Sequence, residues 1–184
     1  MKKPLMILPM ALILCFMVSC QDKEAMAELE EFRAQAALEE QNLALVKGLW
    51  EEVRKGNVEI FKELCAPEFA YYSASISPEP LSVDETIEAF KMEFQGFPND
   101  YNFKIHELIA KGDKVIARFT VTGTHEGEYY GIPATGNTME YGVIDIYHIK
   151  EGKIVETREE VDTLGLMRKL GMELKPKEGE NKIN

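Results

Sequence analysis

The sequence is poor in basic side chains and lacks the common motifs that hold metals or phosphates. Its 184 residues include 21 lysines and arginines against 32 aspartates and glutamates, for a net charge of -11. An acidic chain without a basic cluster repels phosphate backbones, which argues against a nucleic-acid partner. The three histidines lack the close spacing of metal ligands, and no glycine-rich loop opens a helix. We therefore expect no metal site and no phosphate-binding loop.

No apolar run is long enough to span a bilayer comfortably. The longest, from Leu5 to Val18, has about 14 residues, whereas a transmembrane helix needs about 20. Lys2 and Lys3 precede it, and a positive segment followed by a short apolar one is typical of a signal peptide. We predict that residues 1–19 are a targeting segment and not part of the folded domain.

The end of this segment resembles the lipidation site of bacterial lipoproteins. Met17-Val18-Ser19-Cys20 has the small residues and the cysteine of a lipobox. This resemblance implies lipid attachment at Cys20 and a membrane tether at the bacterial cell envelope. Gln21 is not the aspartate that retains some lipoproteins at the inner membrane, which favours the outer membrane. An ordinary signal peptide cleaved near Ser19 is the alternative.

Cysteine is scarce, and the cysteines of the mature chain do not predict a disulfide. If Cys20 carries lipid, Cys65 has no partner within the mature chain. Cys65 lies at the end of a predicted helix, and no neighbour in the sequence would lower its pKa. We interpret Cys65 as a small buried hydrophobic residue and not as a nucleophile.

Helical patterns fill the first half of the chain. Residues 20–41 are rich in alanine, glutamate and glutamine, which predicts a helical spacer, with a frayed solvated helix as the alternative. Asn42 is the predicted N-cap of a second helix that ends at Gly56. A short helix over 57–64 and a strand over 68–73 follow. A capping box at Ser82 and Glu85 begins a further helix that reaches about Phe94.

In the second half the apolar period changes from 3.6 to 2, which predicts strands. The four strands cover 101–110, 114–125, 138–149 and 153–161, and Glu151-Gly152 forms a hairpin turn between the last two. A helical turn over 164–170 and a disordered tail over 172–184 complete the chain. Helices followed by strands indicate an α+β fold, with helices covering one face of a curved antiparallel sheet and a pocket in the resulting cone.

Two carboxylates interrupt the inner faces of the last hairpin. Alternation places Asp145 on one face with Met139, Tyr141, Val143, Tyr147 and Ile149, and Glu159 on one face with Val155, Thr157 and Val161. An unpaired buried carboxylate is costly, so each must be hydrogen-bonded or have a raised pKa. A raised pKa suits a general acid or base near neutral pH, so both residues are candidate catalytic groups.

Residues 42–171 resemble the SnoaL-like polyketide cyclase family, also called ester cyclases. The resemblance rests on Gly123–Gly136 (GTHEGEYYGIPATG) and Gly142–Glu156 (GVIDIYHIKEGKIVE), supported by Leu45–Phe69 and Gly112–Ala117. It implies a cone fold and an intramolecular aldol cyclisation without metal or cofactor. It also implies that the family's acid–base carboxylate falls at Glu159. Histidines of relatives fall at Asp145, Thr157 and Tyr72, so this sequence departs from the family there.

The other candidate substrate-binding residues are polar or aromatic side chains expected near the pocket: Trp50, Tyr72, Arg118, His125 and Tyr141. Core packing is the alternative for Trp50, an ion pair with Asp145 or Glu159 for Arg118, and a solvent-facing turn for His125.

Three functions remain open, because the fold alone does not decide among them. We favour an enzyme that moves a proton on a hydrophobic small molecule. The alternatives are a lipoprotein that binds such a molecule without turning it over, and an interaction protein that works through its N-terminal helix. A homodimer is left open as the assembly.

Overall fold

The computed structural model describes residues 8–173 and 175, with side chains described from Lys23 onward. It contains four helices and five strands in these residues. In chain order they are α1 (Leu8–Arg54), α2 (Ile60–Leu64), β1 (Cys65–Ser73), α3 (Val83–Gly96), β2 (Asn102–Lys111), β3 (Lys114–Thr124), β4 (Thr138–Lys150), β5 (Lys153–Val161) and α4 (Thr163–Lys169).

The five strands form one sheet in the order β1-β5-β4-β3-β2. The sheet is antiparallel as predicted except at its edge, where β1 pairs with β5 in parallel. The β4–β5 hairpin turns at Glu151 and Gly152, whose φ angles are 50° and 74°. Two consecutive positive φ angles are the geometry of a type I′ turn, which matches the twist of the flanking strands. The fold is therefore the predicted α+β arrangement with a curved sheet.

The predicted helix boundary at Asn42 is wrong, because α1 continues through it. Asn42 is buried, and its Nδ2 donates a hydrogen bond of 2.9 Å to the carbonyl oxygen of Gly112 in the β2–β3 turn. Glu39, one helical turn earlier, accepts a hydrogen bond of 2.9 Å from the backbone N–H of Gly112. The side chain that could have capped a new helix is thus used to attach the existing helix to the sheet.

Residues 20–41 are helical, as predicted, and belong to α1. From Lys23 to Gln41 this part of the helix is mostly exposed. The predicted signal segment and the lipidation of Cys20 lie outside the described side chains, and most of the predicted tail lies outside the described residues. Within the described part of the chain, no helix combines the length and apolarity that crossing a membrane requires.

The core lies between the inner face of the sheet and helices α1 and α3. Strand β4 alternates as predicted, with every second residue from Met139 to Ile149 buried. Helix α1 contributes a stripe at helical spacing that is almost fully buried: Val46, Leu49, Trp50 and Val53. Cys65 is also buried, and this burial raises its thiol pKa to about 12, as expected for a packing residue.

Strand β5 departs from simple alternation near its start. Ile154 pairs with Ile149, whereas the next pair along the ladder is Glu156 with His148, so Val155 is an extra residue. This irregularity turns Ile154 into the core and leaves Val155 half-buried. The prediction that Val155 shares the inner face is therefore wrong, and Ile154 takes that place, while Thr157 and Glu159 are on the predicted inner face.

Candidate active site

A cavity of about 200 Å³ opens between the sheet, α1 and α3. Its wall is largely aromatic and aliphatic, and its two ionisable carboxyl groups are those of Glu93 and Glu159. The aromatic part of the wall comprises Trp50, Tyr71, Phe90, Tyr101, Phe103, Phe119, Tyr129, Tyr130 and Tyr141. An apolar enclosure with a few convergent polar groups is the usual form of a small-molecule site.

Glu159 is held at the cavity wall by two hydroxyl groups of β1. Tyr71 donates a hydrogen bond of 2.6 Å to Oε2, and Ser73 donates one of 2.7 Å to Oε1. Ser73 is the direct neighbour of Glu159 in the parallel β1–β5 ladder, so the strand pairing itself sets this contact. Both oxygens of the carboxylate are therefore fixed in position.

Asp145 lies opposite Glu159 in the β4–β5 ladder but does not line the cavity. Its side chain is fully buried and accepts a hydrogen bond at Oδ2 from the hydroxyl of Tyr147. That hydroxyl in turn accepts a hydrogen bond of 2.8 Å from Nε1 of Trp50. Asp145 Oδ1 has no hydrogen-bond partner among the residues that the structure describes. Asp145 thus lies behind the cavity wall, next to Glu159.

The two carboxyl groups share a low-dielectric environment that raises both pKa values. Burial raises the pKa of Asp145 well above its usual range, and the negative charge of Glu159 raises it further. Burial also raises the pKa of Glu159, whereas the hydrogen bonds from Tyr71 and Ser73 lower it. Because Glu159 has two hydrogen-bond donors and Asp145 has one, the hydrogen bonds stabilise the charged form better at Glu159 than at Asp145.

Glu93 is a second ionisable group on the cavity wall and was not among the predicted site residues. The hydroxyl of Tyr129 donates a hydrogen bond of 2.9 Å to its Oε1. Its Oε2 has no hydrogen-bond partner among the described residues. Burial raises the pKa of Glu93 to about 8, and the charge of Glu159 contributes to this shift.

Of the predicted substrate-binding residues, Trp50 and Tyr141 line the cavity, whereas Tyr72 and Arg118 do not. Arg118 lies on the outer face of β3, exposed to solvent, and pairs with Glu107 at 2.9 Å. Tyr72 also faces outward, with the guanidinium of Arg158 at 4.3 Å from its ring centroid. Their predicted place in the pocket is wrong because alternation along each strand points the neighbouring residues inward.

His125 is fully buried but does not line the cavity. Its Nδ1 lies 3.0 Å from the hydroxyl oxygen of Thr135, and its ring packs against Phe97. The prediction that His125 binds substrate is not supported by this position, and neither is the solvent-facing alternative. His125 instead attaches the loop after β3 to the core. Within the described residues, no three histidine, cysteine or acidic side chains are grouped as metal ligands.

The missed cavity residues carried weak signals in the sequence. Glu93 follows Thr86, Ala89 and Phe90 at helical spacing, so an acidic residue continues the buried stripe of α3. Tyr71 and Ser73 share the phase of the buried Phe69. An acid or a hydroxyl in phase with buried apolar residues is the pattern that would have identified them.

The cone-shaped α+β fold, with an apolar cavity ending at a buried carboxylate, defines a class of small-molecule domains. The chain belongs to the SnoaL-like polyketide cyclase family, whose model matches residues 44–170. Cyclases are members of this family, and its members bind small hydrophobic substrates.

One similar curated protein is the aklanonic acid methyl ester cyclase DnrD of Streptomyces peucetius. It is 33% identical over 75 residues, which are 41% of this chain and 52% of that protein. The chain therefore matches about half the length of this curated relative.

Solved structures match over a larger share. A candidate SnoaL-like polyketide cyclase from Jannaschia sp. CCS1 has a TM-score of 0.67 and 22% identity, covering 74% of this chain and 96% of that one. AclR, a candidate hydroxylase from Streptomyces galilaeus, has a TM-score of 0.65 and 22% identity, covering 72% and 97%. IdmH, a candidate polyketide cyclase from Streptomyces antibioticus, has a TM-score of 0.62 and 25% identity, covering 72% and 99%.

Proposed function

We propose that this protein is a cofactor-free acid–base catalyst that acts on a hydrophobic carbonyl compound, as a cyclase or an isomerase does. The observation that carries the proposal is Glu159, a carboxylate fixed on the wall of an apolar cavity with its pKa raised by burial. Burial keeps the proton affinity of the base high, and the apolar wall of the cavity excludes competing water. Membership in a family that contains cyclases supports the same reaction class.

The reaction begins with proton transfer to Glu159. Its carboxylate takes a proton from the carbon beside the carbonyl group, and the electron pair of the broken C–H bond moves onto the carbonyl oxygen. In a cyclisation, the same carbon then attacks a second carbonyl of the substrate, and the resulting alkoxide receives the proton back from Glu159. Asp145 is a positioning residue that stays protonated and so adds no second negative charge beside the base.

The proposal is tested by proton exchange on simple ketones in deuterated buffer. The protein should accelerate exchange at the carbon beside the carbonyl of 1-indanone or 1-tetralone, followed by proton NMR. Glu159→Gln should reduce the accelerated rate by about 10²–10⁴-fold, the usual contribution of a general base. Glu160→Gln is the matched control, because Glu160 is the adjacent acid on the exposed face of β5. Equal rates for the two variants would refute the role of Glu159.

A binding protein without turnover is the second candidate, favoured by the predominantly apolar wall of the cavity. It predicts that the ketones bind, as measured by calorimetry, while their exchange stays at the rate of the buffer. Because binding and exchange are measured on the same compounds, the two candidates give different results.

We also propose that the chain is anchored to the bacterial cell envelope through lipid at Cys20, with the outer membrane favoured. The support is the lipobox-like sequence that ends at Cys20. The mostly exposed helix from Lys23 to Gln41 would then separate the anchor from the domain. Cys20→Ala should prevent lipidation, detected by mass spectrometry and detergent partitioning. Unchanged membrane attachment of this variant would refute the anchor.

A homodimer through the outer face of the sheet is the assembly that we propose. Four exposed isoleucines lie on this face of three adjacent strands: Ile109, Ile116, Ile144 and Ile146. Ile116 pairs directly with Ile109 on one side and Ile146 on the other, so three of these side chains adjoin. Ile146→Lys should shift the sedimentation coefficient towards the monomer, whereas Glu140→Lys, an exposed change on the same strand, should not. A monomeric wild-type protein at micromolar concentration would refute the dimer.

A further inference from the structure

Glu93 lines the cavity with an incomplete set of hydrogen bonds. Its Oε1 accepts from Tyr129, which uses the single proton of that hydroxyl. Its Oε2 is screened from bulk solvent and has no partner among the described residues. The described ion pairs include no cation at Glu93. One donor and no cation are too little to stabilise a buried carboxylate, whereas a neutral carboxylic acid needs only an acceptor for its own proton.

Two hydroxyl groups near the cavity already have a carboxylate partner. The hydroxyl of Tyr71 and that of Ser73 are directed to Glu159, on the sheet side of the cavity. Glu93 extends from α3 and lines the same cavity. The cavity therefore carries a hydrogen-bonded base on its sheet and an acid with one free oxygen on its helix.

We propose that Glu93 is a neutral carboxylic acid that donates a hydrogen bond from Oε2 to the carbonyl oxygen of the bound ligand. This inference rests on the proposed function and extends it by assigning a second catalytic residue and an orientation. The ligand is an apolar ketone or ester with its carbonyl oxygen towards α3 and the adjacent C–H group towards Glu159.

The arrangement suits the charge that develops in the reaction. When Glu159 takes the proton from carbon, the electron pair of the C–H bond comes to rest on the carbonyl oxygen. A hydrogen bond from a neutral acid stabilises this oxygen most strongly when it becomes negative, which lowers the barrier. Glu93 keeps its proton during this step, so no further reactant is required. The raised pKa of Glu93, about 8, means that the acid is largely protonated at neutral pH.

The experiment compares a ketone with the hydrocarbon of the same shape. Binding of 1-indanone and indane, and of 1-tetralone and tetralin, is measured by NMR titration of the wild-type protein, Glu93→Leu and Glu93→Gln. The wild-type protein should bind each ketone about 10-fold more tightly than its hydrocarbon, the value of one hydrogen bond of about 1.4 kcal/mol. Glu93→Leu should abolish this preference, and Glu93→Gln should restore most of it because its amide N–H is a donor.

The pH dependence separates a donor from a residue that only shapes the cavity. The ketone preference of the wild-type protein should fall as the pH rises through about 8, where Glu93 loses its proton. The preference of Glu93→Gln should not change over this range. The infrared carbonyl band of a protonated carboxylic acid should be present at neutral pH in the wild-type protein and reduced in Glu93→Gln.

The outcomes distinguish this inference from the function on which it rests. Equal ketone preference in the wild-type protein and Glu93→Leu would overturn the inference, while exchange that still depends on Glu159 would leave the proposed function intact. A ketone preference that needs Glu93, without accelerated exchange, would support the inference and overturn the catalytic role of Glu159. If neither ketones nor hydrocarbons bind, both proposals fail.

Discussion

Asp145 and Glu159 are direct neighbours in the β4–β5 ladder, yet only Glu159 reaches the cavity. Asp145 is fully buried behind it, hydrogen-bonded to Tyr147. Two acids whose side chains share one face cannot both ionise easily, so their protonation is linked. The two donors at Glu159 favour the negative charge there, so a proton held by Asp145 leaves Glu159 able to act as a base. This linkage leads to the first prediction.

Removing the charge of Glu159 should lower the pKa of Asp145. The negative charge of Glu159 is one of the two causes that raise the pKa of Asp145, and burial is the larger. Glu159→Gln removes the charge but not the burial, so the pKa should fall while staying above the ordinary value. The measurement is a carbon NMR titration of the labelled aspartate carboxyl. An unchanged pKa, equal to that in the Glu160→Gln control, would show that the two groups do not interact.

Glu93 should make the protein less stable as the pH rises. Its pKa is about 8 in the folded protein against an ordinary value of 4.5, so the folded state binds this proton more tightly. Its stabilising contribution is complete below pH 4.5 and is lost as the pH rises towards 8. Glu93→Gln lacks this loss. Between pH 5 and pH 8 the wild-type protein should therefore lose on the order of 3–4 kcal/mol of unfolding free energy relative to the variant.

Urea unfolding followed by circular dichroism at several pH values measures this difference. Glu88→Gln is the control, because Glu88 lies on the same helix but is exposed and pairs with Lys91 at the surface. Its unfolding free energy should follow that of the wild-type protein with pH, within about 0.5 kcal/mol. A Glu93→Gln curve parallel to the wild-type curve would contradict the raised pKa.

The hydroxyl of Tyr147 should be important for stability. It accepts from Trp50 and donates to Asp145, so Tyr147→Phe leaves one buried donor and one buried acceptor without partners. We expect a loss of about 2–4 kcal/mol in the free energy of unfolding. The pKa of Asp145 should rise further, because this hydrogen bond is what lowers it.

Tyr72→Phe is the control for this prediction. The ring of Tyr72 contacts Arg158 on the outer face through its π surface, which phenylalanine also has. Its unfolding free energy should change by less than about 0.5 kcal/mol. Equal losses in the two variants would contradict the special role of the Tyr147 hydroxyl.

Gly127 should be intolerant of any side chain. A Cβ atom there would overlap the carbonyl oxygen of Gln95 at the end of α3. The backbone N–H of Gly127 donates to the carbonyl oxygen of Gly96, so the loop and the helix end are in direct contact. Gly127→Ala should cost about 1–3 kcal/mol of unfolding free energy, as overpacking does.

Gly142→Ala is the matched control in strand β4. A Cβ atom at Gly142 would meet no atom within 4 Å among the described residues, and alanine suits a strand better than glycine. Its stability should be unchanged or slightly higher. If Gly127→Ala were equally harmless, the close approach of the loop to α3 would be incorrect.

Features set by local sequence were predictable. The capping box at Ser82 and Glu85 is present, because its two hydrogen bonds join residues three positions apart. The alternation of β4 placed Asp145 inside, and that of β5 placed Glu159 inside. The sequence therefore located both carboxylates on the inner faces of adjacent strands. Their direct pairing depends on the extra residue at Val155, which shifts the register of the hairpin by one and was not predicted.

Features set by distant contacts could not be predicted in the same way. Asn42 continues a helix because its side chain binds a turn 70 residues later. Tyr71 and Tyr72 are identical in type; the phase of Phe69 favours Tyr71 as the inward residue, but its contact with Glu159 depends on the pairing of β1 with β5. Glu93 resembled an ordinary surface acid of an amphipathic helix, and its burial depends on Tyr129 in a loop 36 residues away.

The hydrogen-bonded series from Trp50 through Tyr147 to Asp145 connects the single tryptophan of the chain to the carboxylate pair. The same indole forms part of the cavity wall. Indole emission responds to nearby charge and to hydrogen bonding at its nitrogen. The intrinsic fluorescence of Trp50 therefore reports both the occupancy of the cavity and the protonation of the carboxylate pair.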